Sequence, residues 1–177
     1  MKQETKQQIG QAIADFRLPR YHEIPNVGLY LEQATKYVCE YLEPLGEYTL
    51  TPSMISNYVK KDLVDNPVKK RYGREQIAYL IFIAIAKNVL SLDGLINFIA
   101  LQKRTYSLQI AYDYFCEELE NILYWRFGLK DTVEPYNEVT GEGRGFTFQS
   151  YNGDDFYAAV KRCLNLYNQN RDGFRKL

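Results

Sequence analysis

Histidine is nearly missing from this 177-residue chain, cysteine is scarce, and net charge is absent: one His, three Cys, and 22 basic against 22 acidic side chains. The single histidine, His22, sits in RYHEIP with no accompanying nucleophile motif such as GxSxG, so no Ser-His or Cys-His machinery can be assembled. It reads as a structural or solvent-facing residue. Cys39, Cys116 and Cys163 are odd in number, lack CxxC spacing and fall among apolar helix positions, which excludes a disulfide scaffold and a zinc ribbon. They read as small core residues in a reducing compartment. Zero net charge excludes a chain that binds polyanions with its whole surface, so any nucleic-acid reading has to rest on local charge. The apolar run AYLIFIAIA at residues 78–86 is far short of the roughly 20 residues that span a bilayer. The N-terminal MKQETKQQIGQAIADF has no apolar h-region. The expectation is a cytoplasmic protein with no membrane partner, no metal and no cofactor.

What is present is an ordinary globular composition, 46% hydrophobic and 25% charged, with sixteen tyrosines. Apolar residues recur at helical spacing in several windows. Residues 27–42 place Tyr30, Leu31, Ala34, Tyr37, Val38, Tyr41 and Leu42 on one face, before Pro44 and Gly46 break the chain. Thr51 followed by Pro52 is a helix start, an N-cap with proline at the first helical position, and this helix is predicted to end near residues 62–64. Residues 74–89 are apolar nearly all round and predict a central core helix. Ser91 caps a further helix through Leu92, Leu95, Ile96 and Ile99, and residues 107–127 read as one long amphipathic helix whose other face holds Asp113, Glu117, Glu118 and Glu120. Residues 130–153 are dense in turn residues, with only 146–151 alternating as a strand would, and a last helix is predicted from residue 153 or 154. The predicted class is all-α with room for one short β-hairpin. It divides into an N-terminal helix and linker (1–26), a central domain (27–104) and a helical C-terminal region for dimerisation or effector binding (105–177).

Charge is uneven along the chain: residues 51–106 hold nine basic and four acidic side chains, while both flanks lean acidic. Lys60, Lys61, Lys69, Lys70, Arg71 and Arg74 cluster between the second and third helices, interrupted only by Asp62 and Asp65. The preceding short helix offers Ser53, Ser56 and Asn57 as small hydrogen-bonding side chains. Polar groups for base edges flanked by cations for phosphates are what a groove-reading helix needs, and Asn57 is the residue best suited to adenine. Thr51 and Ser53 at the helix start could also hold a phosphate against free N–H groups. A solvated charged turn is the plain alternative reading.

The run LTPSMISNYVKKDLVDNPVKKRYGREQIAYLIFIAIAKNVLSLDGLINFI resembles the DNA-binding domain of the MerR-type transcription regulators, a winged helix-turn-helix followed by two helices. In that resemblance Ile55, Tyr58 and Leu63 match the buried isoleucine, second tyrosine and closing leucine of the recognition helix, and residues 70–72 match a basic-x-tyrosine before the third helix. This adds Tyr58 and Tyr72 to the DNA-facing set. The sequence departs from the pattern at Ser56, where an arginine is usual, at Asn57, where a tyrosine is usual, and in residues 63–72, which are short for a glycine-tipped wing. From about residue 18 to about residue 170 the chain resembles more closely a bacterial family, domain of unknown function 1836. The MerR resemblance implies a homodimer on double-stranded DNA, with the 107–127 helix in the place where MerR-type proteins pair; packing within its own chain is the alternative role of that helix.

The remaining features read plainly. GEGRG at 141–145 neither follows a strand nor carries a GK[ST] lysine, so it is a loop and not a phosphate cradle. Glu117 and Glu118, or Asp154 and Asp155, are adjacent and point to different sides of a helix, so they form no acid–base pair. The aromatic load after residue 106 suits core and dimer contacts, or a small-molecule effector pocket. The functional reading is a DNA-binding regulator and not an enzyme. The alternative is a protein-interaction adaptor that keeps a helix-turn-helix scaffold without DNA binding.

Overall fold

A computed structural model describes residues 9–11, 13–46 and 50–129. The chain divides into two units, Met1–Val133 and Glu134–Leu177, and these residues belong to the first. The loop, hairpin and last helix expected after residue 129 lie outside the described residues. The described part is mostly helical. A 3-10 turn at Tyr21–Glu23 precedes β1 (Leu29–Tyr30) and α1 (Leu31–Leu42). A second turn at Glu43–Leu45 leads to α2 (Pro52–Lys60), then β2 (Arg71–Tyr72), α3 (Arg74–Ala86), α4 (Leu92–Thr105) and α5 (Leu108–Arg126).

Three helices start where a hydroxyl can satisfy a free N–H. Thr51 accepts from Met54 N–H at 3.2 Å, Ser91 from Gly94 N–H at 3.1 Å, and Ser107 from Ile110 N–H at 3.4 Å. Two boundaries differ from the sequence expectation. α1 starts at Leu31, not near residue 27, because Leu29 and Tyr30 pair antiparallel with Tyr72 and Arg71. Gly28 makes that pairing possible: its φ is +67°, and a Cβ there would lie 3.1 Å from the Arg71 Cβ. α2 stops at Lys60, short of residues 62–64, because Asp62 turns left-handed at φ 56°. Leu63 N–H then donates to Tyr58 O at 3.0 Å and Asp62 N–H to Val59 O at 3.1 Å, a Schellman closure that sends Leu63 into the core.

The helix that is apolar all round is the centre of the core. In α3, Ile77, Ala78, Tyr79, Leu80, Ile81, Ile83, Ala84 and Ala86 are all buried, and α1, β2 and α5 pack against it. Phe82 reaches across to Phe98 of α4 and Phe115 of α5, with ring centroids 5.0 and 5.1 Å away.

α5 corrects one expectation. Glu120, placed by periodicity on the outer face, is buried. Its Oε1 accepts from Leu18 N–H at 2.9 Å and from Arg20 Nη1 at 2.7 Å, and its Oε2 accepts from Arg20 Nη2 at 2.7 Å. The bidentate contact raises the pKa of the Arg20 guanidinium. Tyr21 N–H donates to Asp113 Oδ1 at 2.7 Å, and the Tyr124 hydroxyl donates to Phe16 O. Together with buried Ile13, Phe16, Leu18 and Ile24, these contacts strap residues 13–24 onto the core. Cys116 is a buried core residue, Cys39 is half-buried, and Cys163 lies outside the described residues. Among the described residues no helix is long and apolar enough to cross a membrane.

Removing one partner from a buried ion pair leaves the other charge unpaired. Glu120→Ala should therefore destabilise the fold by about 3–5 kcal/mol, against about 1 kcal/mol or less for Arg17→Ala, which breaks only the exposed 2.9 Å pair with Glu23. Urea denaturation distinguishes the two, and equal small losses would contradict the assignment. A second test uses alkaline pH. Burial pushes the Cys116 thiol from 9 up to about 12 and the Tyr79 and Tyr114 phenols from 10 up to about 12. Each proton is held more tightly in the folded chain, so this stability is complete below the unfolded values and is lost as pH rises through the folded ones. The urea midpoint should fall steadily between pH 9 and 12.

Candidate nucleic-acid interface

α2 buries Ile55 and Tyr58 and turns Ser53, Asn57 and Lys60 outward, with Lys61 following at its C-cap. Spacings of four and three residues put Ser53, Asn57 and Lys60 on one exposed strip. Ser56 is half-buried, and its hydroxyl donates back to Pro52 O at 2.9 Å. Thr51 uses its side chain as the cap. Residues 43–51 join α1 to α2, a longer connection than the three or four residues of a tight helix-turn-helix.

The basic stretch after α2 folds into a two-residue hairpin turn. Val68 N–H donates to Arg71 O at 3.1 Å and Arg71 N–H donates to Val68 O at 3.0 Å, with Lys69 and Lys70 at the tip at φ 50° and 63°. Both central residues are left-handed, the geometry of a type I′ turn, which strongly favours Asn-Gly or Gly-Gly. Lysine carries a Cβ and lacks a side chain that bonds locally, so each such position costs on the order of 1 kcal/mol. Among the described residues the only non-glycine residues with positive φ are Asp62, Lys69 and Lys70, all inside the basic stretch. Strained backbone of this kind clusters at functional sites.

The other predicted contact residues separate into distinct roles. Arg71 is exposed and lies over the Tyr30 ring, 4.9 Å from its centroid, with Nη2 donating to the Tyr30 hydroxyl at 3.2 Å. Arg74 is half-buried: its Nε donates to Ile24 O at 2.8 Å and its Nη2 to His22 O at 3.2 Å, while the guanidinium sits over Tyr21. It holds the strap. Tyr58 and Tyr72 are core residues whose phenol pKa values are raised by burial. The structure thus brings Ser53, Asn57 and Lys60 together on α2, groups Lys69, Lys70 and Arg71 on the hairpin, and turns Tyr58, Tyr72 and Arg74 inward. The helical spacing counted Tyr30 with the apolar face of the first helix; it lies instead in β1, exposed, as the platform under Arg71. A two-residue strand is too short for any alternation to reveal it.

No group of three or more potential metal ligands occurs among the described residues. A cleft of about 240 Å³ is lined by residues that include Asp65, Tyr79, Gln102 and Lys103. It lies below the roughly 300–1,000 Å³ of ordinary ligand pockets. Its polar groups satisfy one another: Tyr79 donates to Gln102 at 2.8 Å and Lys103 pairs with Asp65 at 3.4 Å.

These features define a mostly helical protein that presents a polar helix strip and a lysine-tipped hairpin. The chain belongs to the family described as Domain of unknown function (DUF1836), which matches residues 19–115. Curated relatives include the glycogen synthases of Desulforamulus reducens (52% identical over 42 residues, 24% of this chain and 9% of that protein) and Caldicellulosiruptor bescii (54% over 41 residues, 23% and 9%). That of Desulfitobacterium hafniense is 42% identical over 50 residues, 28% of this chain and 11% of that protein. The chain spans about a tenth of the length of these relatives, so the likeness concerns a short stretch and by itself conveys none of their activity. No solved structure matches.

If the hairpin lysines are strained and there for their charge, the double substitution Lys69→Asn/Lys70→Gly should stabilise the protein by about 1–2 kcal/mol. Thermal unfolding measures this directly. A lower melting temperature would show that the turn carries no strain.

Proposed function

We propose that this protein is a DNA-binding transcription regulator of the bacterial cytoplasm that acts as a homodimer. In this reading α1 and α2 form an open helix-turn-helix, and residues 68–71 form a short wing. Ser53, Asn57 and Lys60 enter the major groove, and Lys61, Lys69, Lys70 and Arg71 meet phosphates. The observation that carries the reading is the placement of two lysines at positions whose backbone favours Asn-Gly. A turn kept only for its shape would have the unstrained residues. The exposed amide of Asn57, on the same helix as Lys60, supplies the group that distinguishes adenine. A wing of two lysines makes few phosphate contacts, and doubling the footprint across a two-fold axis compensates for that.

The competing reading is a protein-interaction adaptor. Zero net charge and Ser56 at the place of the usual arginine favour it.

The deciding experiment incubates the purified protein with fragmented genomic DNA at near-physiological salt and sequences what is retained. Enrichment of a few fragments sharing a two-fold symmetric motif is the expected result. Retention of nothing, or of all fragments until salt is raised, would favour the adaptor. On an enriched fragment, Asn57→Ala should reduce discrimination against a mismatched site by about 1–3 kcal/mol. Lys70→Ala should weaken binding to all sequences and flatten its salt dependence by about one phosphate contact. Equal losses on specific and random DNA for Asn57→Ala would remove it from base reading.

A further inference from the structure

α4 is apolar on two sides. Its inner side is accounted for: Leu95 and Ile99 are buried, and Phe98 stacks on Phe82. Its outer side is not. Leu92 and Ile96 are 36% and 37% exposed, Ala100 follows one turn later, Leu101 is 59% exposed, and Val89 stands just ahead of the helix at 45%. Leu92, Ile96 and Ala100 repeat every four residues, so they run along one strip and are not scattered exposed residues. α5, the helix whose sequence position suggested pairing, offers no such strip: no residue from 111 to 124 is exposed.

We infer that the outer strip of α4 is a self-association face, occupied by α4 of a second copy running antiparallel across a two-fold axis. The charges on the strip select this occupant. Asp93 lies in the first turn of the helix and Arg104 in the last, both exposed. A two-fold axis close to Phe98, between Ile96 and Ala100 along the helix, sets Asp93 against the partner's Arg104 and Arg104 against the partner's Asp93. It also brings Ile96 to the partner's Ala100, a large residue against a small one, with the partner's Leu101 beside it. Antiparallel helices oppose their dipoles, whereas a parallel pair would stack like charge on like at both ends. A face complementary to itself in this way is what a two-fold contact requires. The zero net charge of the chain adds no long-range repulsion between copies. One 14-residue helix from each copy makes a contact at the small end of specific interfaces, so association belongs in the micromolar range.

This deepens the proposed homodimer by naming its face, and it takes no support from DNA binding. Its test contains no DNA, so the two proposals can fail separately. The full chain is followed by sedimentation velocity from about 1 to about 200 µM. A monomer–dimer equilibrium is expected, and Ile96→Glu should weaken it at least about a hundredfold while leaving the thermal unfolding transition in place. Asp93→Arg and Arg104→Asp should each weaken the dimer about tenfold. The double reversal in one chain should restore it, and the two single variants mixed should form a heterodimer. A monomer at the highest concentration, a dimer indifferent to Ile96→Glu, or a double reversal that does not restore association would each overturn the inference.

Discussion

The Glu120 carboxylate is the constraint on which the arrangement of this domain depends. A buried charge without partners is prohibitively unfavourable, so Leu18 N–H and both arms of Arg20 must stand in one register to meet it. The same strap passes His22 and Ile24, whose carbonyls accept from Arg74 at the first position of α3, two residues beyond the end of β2 at Tyr72. A single line of polar contacts therefore runs from the middle of the long helix to the base of the lysine hairpin. Hydrophobic contact alone would tolerate sliding of the strap. These directional bonds do not.

Several elements could be read from the sequence because they rest on local chemistry. Thr51 with Pro52, Ser91 and Ser107 mark helix starts since a hydroxyl beside free N–H groups is a short-range effect. The all-round apolar character of residues 77–86 announces the core helix for a similar reason: no face was left for water. The strands were not readable, because two residues cannot show a period, and their pairing joins positions some forty residues apart. Glu120 was misplaced because periodicity gives the side of a helix on which a residue lies but not what covers that side. The candidate interface was legible as charge and small polar groups, whereas the depth of Tyr58 and Tyr72 and the inward role of Arg74 depend on tertiary packing. The left-handed turn was hidden by its own residues, since Lys-Lys is nearly the last pair from which such a turn would be inferred.

The family match ends at residue 115, the eighth residue of α5, and so takes in Arg20 but not Glu120. The part held in common thus includes the helix strip and the hairpin, while the carboxylate that fixes the strap is contributed by the chain beyond the match. Surface and anchor sit on opposite sides of that boundary.

The distance along the chain between Arg20 and Glu120 also has a temporal meaning. The two residues are 100 positions apart, so at roughly 5–20 residues per second the ribosome takes about 5–20 s to add the second after the first. Throughout that interval the guanidinium lacks the Glu120 carboxylate, and α1 through α4 are all synthesised within it. The strap is made before the helices it covers yet docks only after them, and the nascent helical core must persist with that cover undocked.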